Sequence, residues 1–299
     1  VKEVFYWALF YSFKFFIAIT PKRVMDYIVK GLAAFIYAID TKHRKIASVN
    51  LKLAYKDAIS NEKKEKIIKA TYLNLIYLLI DFIQNQDISK EVLLDKVTFH
   101  NSDIMMSAMN SGSKIILMTA HYSNWELLPL AIAAKFGPLT GVGRKLDSAV
   151  MDKILSKNRE QFYIEMLDKK GAMRDMISVL KDNRMLGLLV DQNTSENEGI
   201  LIDFFGNPAR HTPSAAILAR RFDALIIPAF ITTKDYRHYE ITFYEPIMTK
   251  KSEDKERDIF ESVQKQAKIT EEIIRQKPEE WFWLHKRWKN QFEWRYDSE

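Results

Sequence analysis

The chain opens on two long apolar runs and only later alternates short apolar stretches with amphipathic ones. Val4 to Ile19 is almost wholly aliphatic and aromatic, with Lys14 the one charge inside it. As a helix, these sixteen residues reach ~24 Å, short of the roughly 30 Å of a bilayer core. After Thr20-Pro21, the run from Val24 to Ile39 carries Asp26 and Lys30 and is a poorer spanning segment still. Both runs read as amphipathic or interfacial helices, with two ordinary buried helices as the alternative. No small-residue cleavage site follows the first, so a removed leader is not expected. The expected division is a membrane-anchoring segment over 1–40 and an α/β domain with a helical beginning over 41–299.

From Lys42 to Gln86 the spacing predicts helix, with Asn61 and the charged turn Glu62 to Lys66 leading into an apolar face at Ile67, Ile68, Tyr72, Leu75 and Leu79. Strand and helix then alternate. Lys114 to Thr119, Leu139 to Gly143, Leu186 to Val190 and Leu225 to Ile231 read as strands, and His238 to Tyr244 alternates like an edge strand. Trp125 to Lys135, Asp147 to Phe162, Met173 to Lys181, Pro213 to Arg221 and Lys255 to Arg275 read as helices, the last a charged surface helix. This order predicts an α/β fold, a mostly parallel central sheet flanked by helices.

Composition narrows this picture only a little. Hydrophobic residues at 47% and charged residues at 28% fit a globular protein. The absence of cysteine removes disulfide frameworks, thiolate metal sites and thiol catalysis. A net charge of +6 suits an anionic partner or plain solubility. Its placement says more: Lys42 to Lys45, Arg144-Lys145 and His285-Lys286-Arg287 each adjoin apolar or aromatic sequence, as at a membrane surface. No nucleic-acid motif accompanies the basicity, so nucleic acid is not an expected partner. His43, His100, His238 and His285 lack partners at ligand spacing, and no metal site is expected.

Candidate chemistry begins at His121, which follows the apolar run Ile115 to Met118 at the position where open α/β sheets place active residues. Glu126 lies five residues on, about 140° away on one continuous helix. The two can meet if His121 stays in a loop and a helix begins at Ser123. Ser123-Asn124-Trp125-Glu126 also reads as a capping box, and the two readings are compatible. A histidine beside a carboxylate is suited to taking a proton from a hydroxyl.

Further blocks follow in order: Asp191-Gln192 at the end of a strand, then Phe204-Phe205-Gly206-Asn207-Pro208-Ala209, Ala219-Arg220, Pro228, and Pro278 through Trp288. With His121-x4-Glu126, they resemble the bacterial lipid A late acyltransferases of the lysophospholipid acyltransferase superfamily, from the first apolar run to the tail. Glu at the fifth motif position, where many relatives have Asp, is a variation that family accepts. The resemblance implies an O-acyltransferase moving a fatty acyl chain from an acyl carrier protein or coenzyme A thioester to a hydroxyl of an anionic lipid A precursor. It implies a place at the cytoplasmic face of a bacterial inner membrane, with no metal or other cofactor. His121 is the implied general base and Glu126 its support. Arg144 corresponds to the family's second motif and is assigned, with Lys145, to the thioester oxygen or a substrate phosphate. Asp191 becomes an active-site wall, and Arg210, with His211 and Thr212 beside it, a contact for phosphate or the carrier's linker.

Three other classes stay open. The acceptor can be a lysophospholipid or another glycolipid on the same fold. A hydrolase is disfavoured by the lack of a Gly-x-Ser-x-Gly elbow. A non-enzymatic membrane-binding module would leave His121 a turn residue. Trp281, Trp283, Trp288 and Trp294 read as packing rather than an interfacial belt.

Overall fold

A computed structural model describes residues 2–297. Helices α1 (Lys2–Ile19) and α2 (Lys22–Ile39) are separated at Pro21, whose ring lacks the N–H needed inside a helix. They rest on α4 (Asn61–Gln84) through a cluster of their own formed by Ile17, Met25, Val29, Ala33 and Ile76. Their other faces expose Phe5, Phe13, Phe15, Tyr27, Phe35 and Ile39. Among the described residues α4 is the helix long and apolar enough to cross a membrane. It packs against α2, α3 (Thr41–Tyr55) and the turn at 278–280.

The single helix expected over Lys42 to Gln86 is two helices. Lys56 adopts φ +47° and ends α3, and the Ser60 hydroxyl accepts the Lys63 N–H at 3.1 Å to start α4. That is a cap at each end of a break which the apolar periodicity alone does not show. The helix expected from Asp147 to Phe162 is likewise shorter, α8 (Ala149–Arg159), capped by Ser148 and stopped before Phe162 and Tyr163, both at positive φ.

Short elements absent from the sequence reading fill the gaps. They are α5 (Lys90–Asp95), β1 (Val97–His100), α6 (Ser102–Asn110), β4 (Glu165–Asp168), the hairpin β6 (Ile200–Phe204) and β7 (Asn207–His211), and α12 (Lys289–Asp297). The remaining elements lie close to expectation: β2 (Ile115–Thr119), α7 (Leu127–Phe136), β3 (Leu139–Gly143), α9 (Ala172–Lys181), β5 (Met185–Leu189), α10 (Ser214–Phe222), β8 (Leu225–Thr233), β9 (Tyr239–Phe243) and α11 (Lys255–Gln276).

Seven strands form one sheet in the order β1-β9-β8-β2-β5-β3-β4. The five strands from β8 to β4 are mutually parallel, while β9 runs antiparallel to β8 and β1 pairs parallel outside it. The α/β expectation holds, but β9 is not the edge. Its alternating burial reflects one covered face rather than a missing neighbour. The surface helix α11 also turns a full face inward, burying Val263, Ala267, Thr270, Ile273 and Ile274.

Two connections set up the site. After β2 the chain crosses through α7, whose Leu127, Leu130 and Ala131 join the core on one face of the sheet. After β5 it leaves through β6, β7 and α10, which pack in the core of the other face through Ile202, Ala209 and Ala215. Adjacent strands departing to opposite faces leave a crevice beyond their carboxyl ends, the usual ligand position in such sheets.

Candidate active site

Strands β2 and β5 pair in register with Thr119 opposite Leu189, and the Val190 N–H reaches the Thr119 carbonyl at 3.0 Å. Extended by two residues, that register brings His121 beside Asp191. One Asp191 oxygen accepts His121 Nδ1 at 2.8 Å, and the other accepts the His121 backbone N–H at 3.0 Å and the Trp281 indole N–H at 2.8 Å. The Asp191 side chain is only 3% exposed. Burial alone would raise its pKa, but the facing imidazole and these three donors hold the carboxylate at about 2.

An anion at Nδ1 selects the tautomer with the proton there, leaving the Nε2 lone pair free. The Gln192 amide nitrogen lies 3.2 Å from Nε2, as a donor to that lone pair would. Trp125 and Phe282 flank the imidazole, with ring centroids 5.4 and 6.4 Å away. The partly exposed ring thus keeps one nitrogen unprotonated beside Gln192 while its other edge is fixed by Asp191.

Glu126 does not supply the expected partner to His121. The helix starts at Leu127 rather than Ser123, because Ser123 adopts φ +49° and Asn124 is the capping side chain, its Oδ1 accepting the Leu127 N–H at 3.1 Å. Asn124 is itself held by Asp81 of α4 at 2.8 Å. The Glu126 carboxylate is taken by Arg159 at the end of α8, through Nε at 2.8 Å and through Nη2. Burial works against the guanidinium charge, but the bidentate bond to Glu126 outweighs it and raises the Arg159 pKa. The expected capping box is therefore replaced by an asparagine cap and an interelement ion pair.

Arg159 reaches the end of β3. A Cβ on Gly143 would lie 3.2 Å from Arg159 Nη1, so the absence of a side chain there gives the guanidinium room. Gly143, Arg144, Lys145, Asp152, Arg159 and Asp168 line an open cleft. Arg144 is 78% exposed and lies 3.5 Å from Asp147, and Lys145 lies 3.9 Å from Asp168. Both stand free of the dyad, on the neighbouring rim.

Arg210 and His211 sit differently from expectation. Arg210 donates to the Gly199 carbonyl at 3.1 Å, tying the hairpin to the loop before it, and Thr212 Oγ1 lies 3.0 Å from Ser214 Oγ. His211 is fully buried, with Nδ1 3.1 Å from Arg287 Nη2. Burial, reinforced by the Arg287 charge, pushes its imidazole down to about 3, so it is neutral and out of reach of a carrier. The Phe-Phe-Gly block is core plus turn. Phe205 and Gly206 both take positive φ in a two-residue hairpin turn, and Phe204 and Phe205 pack on Trp281, Trp283 and Trp288. Those three indoles are buried, while Trp294 is exposed.

Arg159 and Trp281 are site residues that the pattern of the sequence does not single out for these roles. Asp191 carried one signal: it follows its strand by two residues, as His121 follows its own. Among the described residues no group of three or more His, Cys, Asp or Glu could hold a metal ion.

Over 130 residues, 42% of each chain, the protein is 28% identical to the phosphatidylinositol mannoside acyltransferase of Mycolicibacterium smegmatis, so that match spans about two fifths of the relative. It is 21% identical to the lipid A biosynthesis acyltransferase of Haemophilus influenzae over 75% of this chain and 71% of that one. It is 27% identical to the lipid A biosynthesis lauroyltransferase of Escherichia coli K12 over 58% and 56%. The family model of the bacterial lipid A biosynthesis acyltransferases matches residues 2–290, and the chain belongs to that family.

Proposed function

We propose that the protein transfers a fatty acyl chain from an acyl carrier protein thioester to a hydroxyl of a lipid A precursor, with His121 as general base. The observation that carries this reading is the His121–Asp191 pair, a buried anion fixing Nδ1 of a ring that stays 22% exposed. Family membership supplies the reaction class.

In the first step Nε2 takes the proton of the acceptor hydroxyl as its oxygen bonds to the thioester carbonyl carbon. Asp191 stabilises the imidazolium that results. The carbonyl oxygen becomes an oxyanion, for which Arg159, held by Glu126 at the cleft beyond β3, is the available counter-charge. Collapse of the tetrahedral intermediate breaks the carbon–sulfur bond, and the leaving thiolate takes the proton back from Nε2. Glu126 acts through Arg159, which it holds at the cleft, rather than through His121.

The exposed aromatic faces of α1 and α2 supply a surface for the inner leaflet, where the acceptor would be anchored. Arg144 and Lys145, with the net positive charge, suit both an acidic carrier and a phosphorylated glycolipid. A mannosylated phosphatidylinositol is the second acceptor to weigh, because the match to the mannoside acyltransferase covers 42% of the chain. The purified protein is incubated with acyl carrier protein thioesters and each lipid in turn, and products are read by mass spectrometry. One added acyl mass on the lipid A precursor is expected, with His121→Ala lowering the rate by about 10³-fold or more. Acylation of the mannoside alone moves the assignment to that acceptor, and acyl transfer undiminished in His121→Ala removes the mechanism.

A further inference from the structure

Residues 279–285 lie against both site loops, and hydrogen bonds along their length connect to each. The Ser123 N–H donates to the Glu280 carbonyl at 2.7 Å, and the Phe282 N–H donates to the His121 carbonyl at 3.0 Å. The Trp281 indole N–H donates to Asp191, and the Asn193 N–H, two residues beyond Asp191, donates to His285 Nε2 at 3.0 Å. Four hydrogen bonds thus alternate between the β2 loop and the β5 loop. The far side of the same segment is fastened to the helical layer. The Asn50 amide of α3 donates to the Trp283 and His285 carbonyls, both at 2.7 Å, and the Asn74 amide of α4 donates to the Glu279 carbonyl.

This arrangement does what the strands alone cannot. Beyond Thr119 and Val190 the β2 and β5 backbones diverge to opposite faces, so no sheet bond holds His121 at its distance from Asp191. Trp281 bonds the same carboxylate oxygen that receives the His121 backbone N–H, which leaves the other oxygen directed at Nδ1. His285 can accept the Asn193 N–H only while Nε2 is unprotonated, and burial, opposed by Asp191 and aided by Arg287, pushes its pKa down to about 4. The β5 loop, including Gln192 at the His121 Nε2, is therefore pinned at both ends.

We propose that the segment 279–285 is a strap that sets the His121–Asp191 geometry, with Trp281 and His285 as positioning residues acting through Asp191 and Asn193. The inference rests on the reading of His121 and Asp191 as the acyl-transfer dyad. A misplacement of about 1 Å in such a pair lowers the rate on the order of 10²-fold without touching substrate affinity. Strap variants should therefore change kcat and leave KM alone.

The test compares Trp281→Phe with Trp288→Phe in the full chain. Trp288 is equally buried in the same aromatic cluster but is not bonded to the dyad. Trp281→Phe is expected to lose about tenfold or more in kcat with KM for both substrates within about twofold, and Trp288→Phe to keep its kcat. A second arm pairs His285→Gln, whose amide oxygen can still accept the Asn193 N–H, with His285→Leu, which cannot; rescue by glutamine is expected. In the same samples the downfield proton resonance of the His121 Nδ1–H is read by NMR, independently of turnover. It should move in Trp281→Phe and His285→Leu and stay in Trp288→Phe and His285→Gln. Equal kcat losses in the two tryptophan variants, or a resonance that responds to neither Trp281→Phe nor His285→Leu, overturns the strap. The expected resonance shifts in the variants, together with a wild-type protein that acylates no lipid, overturn the proposed function and leave the strap standing.

Discussion

The carboxyl ends of β2 and β5 and those of β3 and β4 lie side by side in one sheet, yet they are built in opposite ways. At the first pair, a buried carboxylate has three donors and the histidine beside it is held through its backbone and its ring. At the second, Arg144 and Lys145 stand in solvent with loose ion pairs at 3.5 and 3.9 Å. Groups that must be in place before substrate arrives cannot wait for it to order them, because misorientation enters the barrier directly. Cations that receive an anionic group gain by staying solvated until it comes, since burying them beforehand carries a desolvation cost. Under the proposed function the contrast separates prepared chemistry from a receiving surface, and Arg159, partly buried and held by Glu126, sits at the border between them.

The sharpest way to break that division is to change the two carboxylates in the same way. Asp191→Asn should lose about 10³-fold in kcat, because an amide removes the charge that supports the imidazolium and no longer enforces the Nδ1–H tautomer. Glu126→Gln should lose far less, about 10- to 100-fold, since it loosens Arg159 without touching His121. Rates with a common acyl donor and lipid decide the matter. If Glu126→Gln falls as far as Asp191→Asn, the carboxylate five residues after the histidine supports the base directly, as the sequence first suggested.

On the receiving side, Arg144→Ala should lower kcat/KM by roughly tenfold, mainly through KM, with the effect shrinking as salt is raised. A loss confined to kcat and insensitive to salt would move Arg144 across the border into the prepared site.

What the sequence made legible follows the same line. The apolar runs marking β2, β5 and β8 are continuous enough to read directly, and with them came the parallel sheet and the loop position of His121. Two short strands, β1 and β4, with burial patterns of one covered residue or none, left no such run. The partner of His121 was hidden for a topological reason: β3 and β4 intervene in the chain between β2 and β5, which are neighbours in the sheet. Glu126 was nearer in sequence and of suitable chemistry, but α7 begins only at Leu127, and local spacing cannot reveal that a guanidinium from another helix claims the carboxylate. Arg210 and His211 belonged to the right block but to its structural side.

The interior behind Asp191 offers the finest test of the contrast, because there a charge is buried with no carboxylate among the described residues bonded to it. Arg287 is 1% exposed, donates to the Arg210 carbonyl, and faces Nδ1 of the buried His211, which must be neutral to accept from it. His211 is held down to about 3 in the folded protein, while an unfolded histidine titrates near 6.5. Above about 6.5 neither state binds the proton and the contribution to stability is fully present. As pH falls below 6.5 only the unfolded chain takes it up, so stability is lost until about 3, where the folded protein titrates as well. At pH 5.5 the loss from this residue comes to about 1.4 kcal/mol. Urea unfolding at pH 7.5 and 5.5 should include that decrement in the wild type and lack it in His211→Gln, whose amide oxygen can accept from Arg287 at either pH, while the similar loss from His285 is common to both. Equal decrements in the two proteins would mean that His211 titrates normally. The region behind the dyad would then be open to water like the cleft beside it.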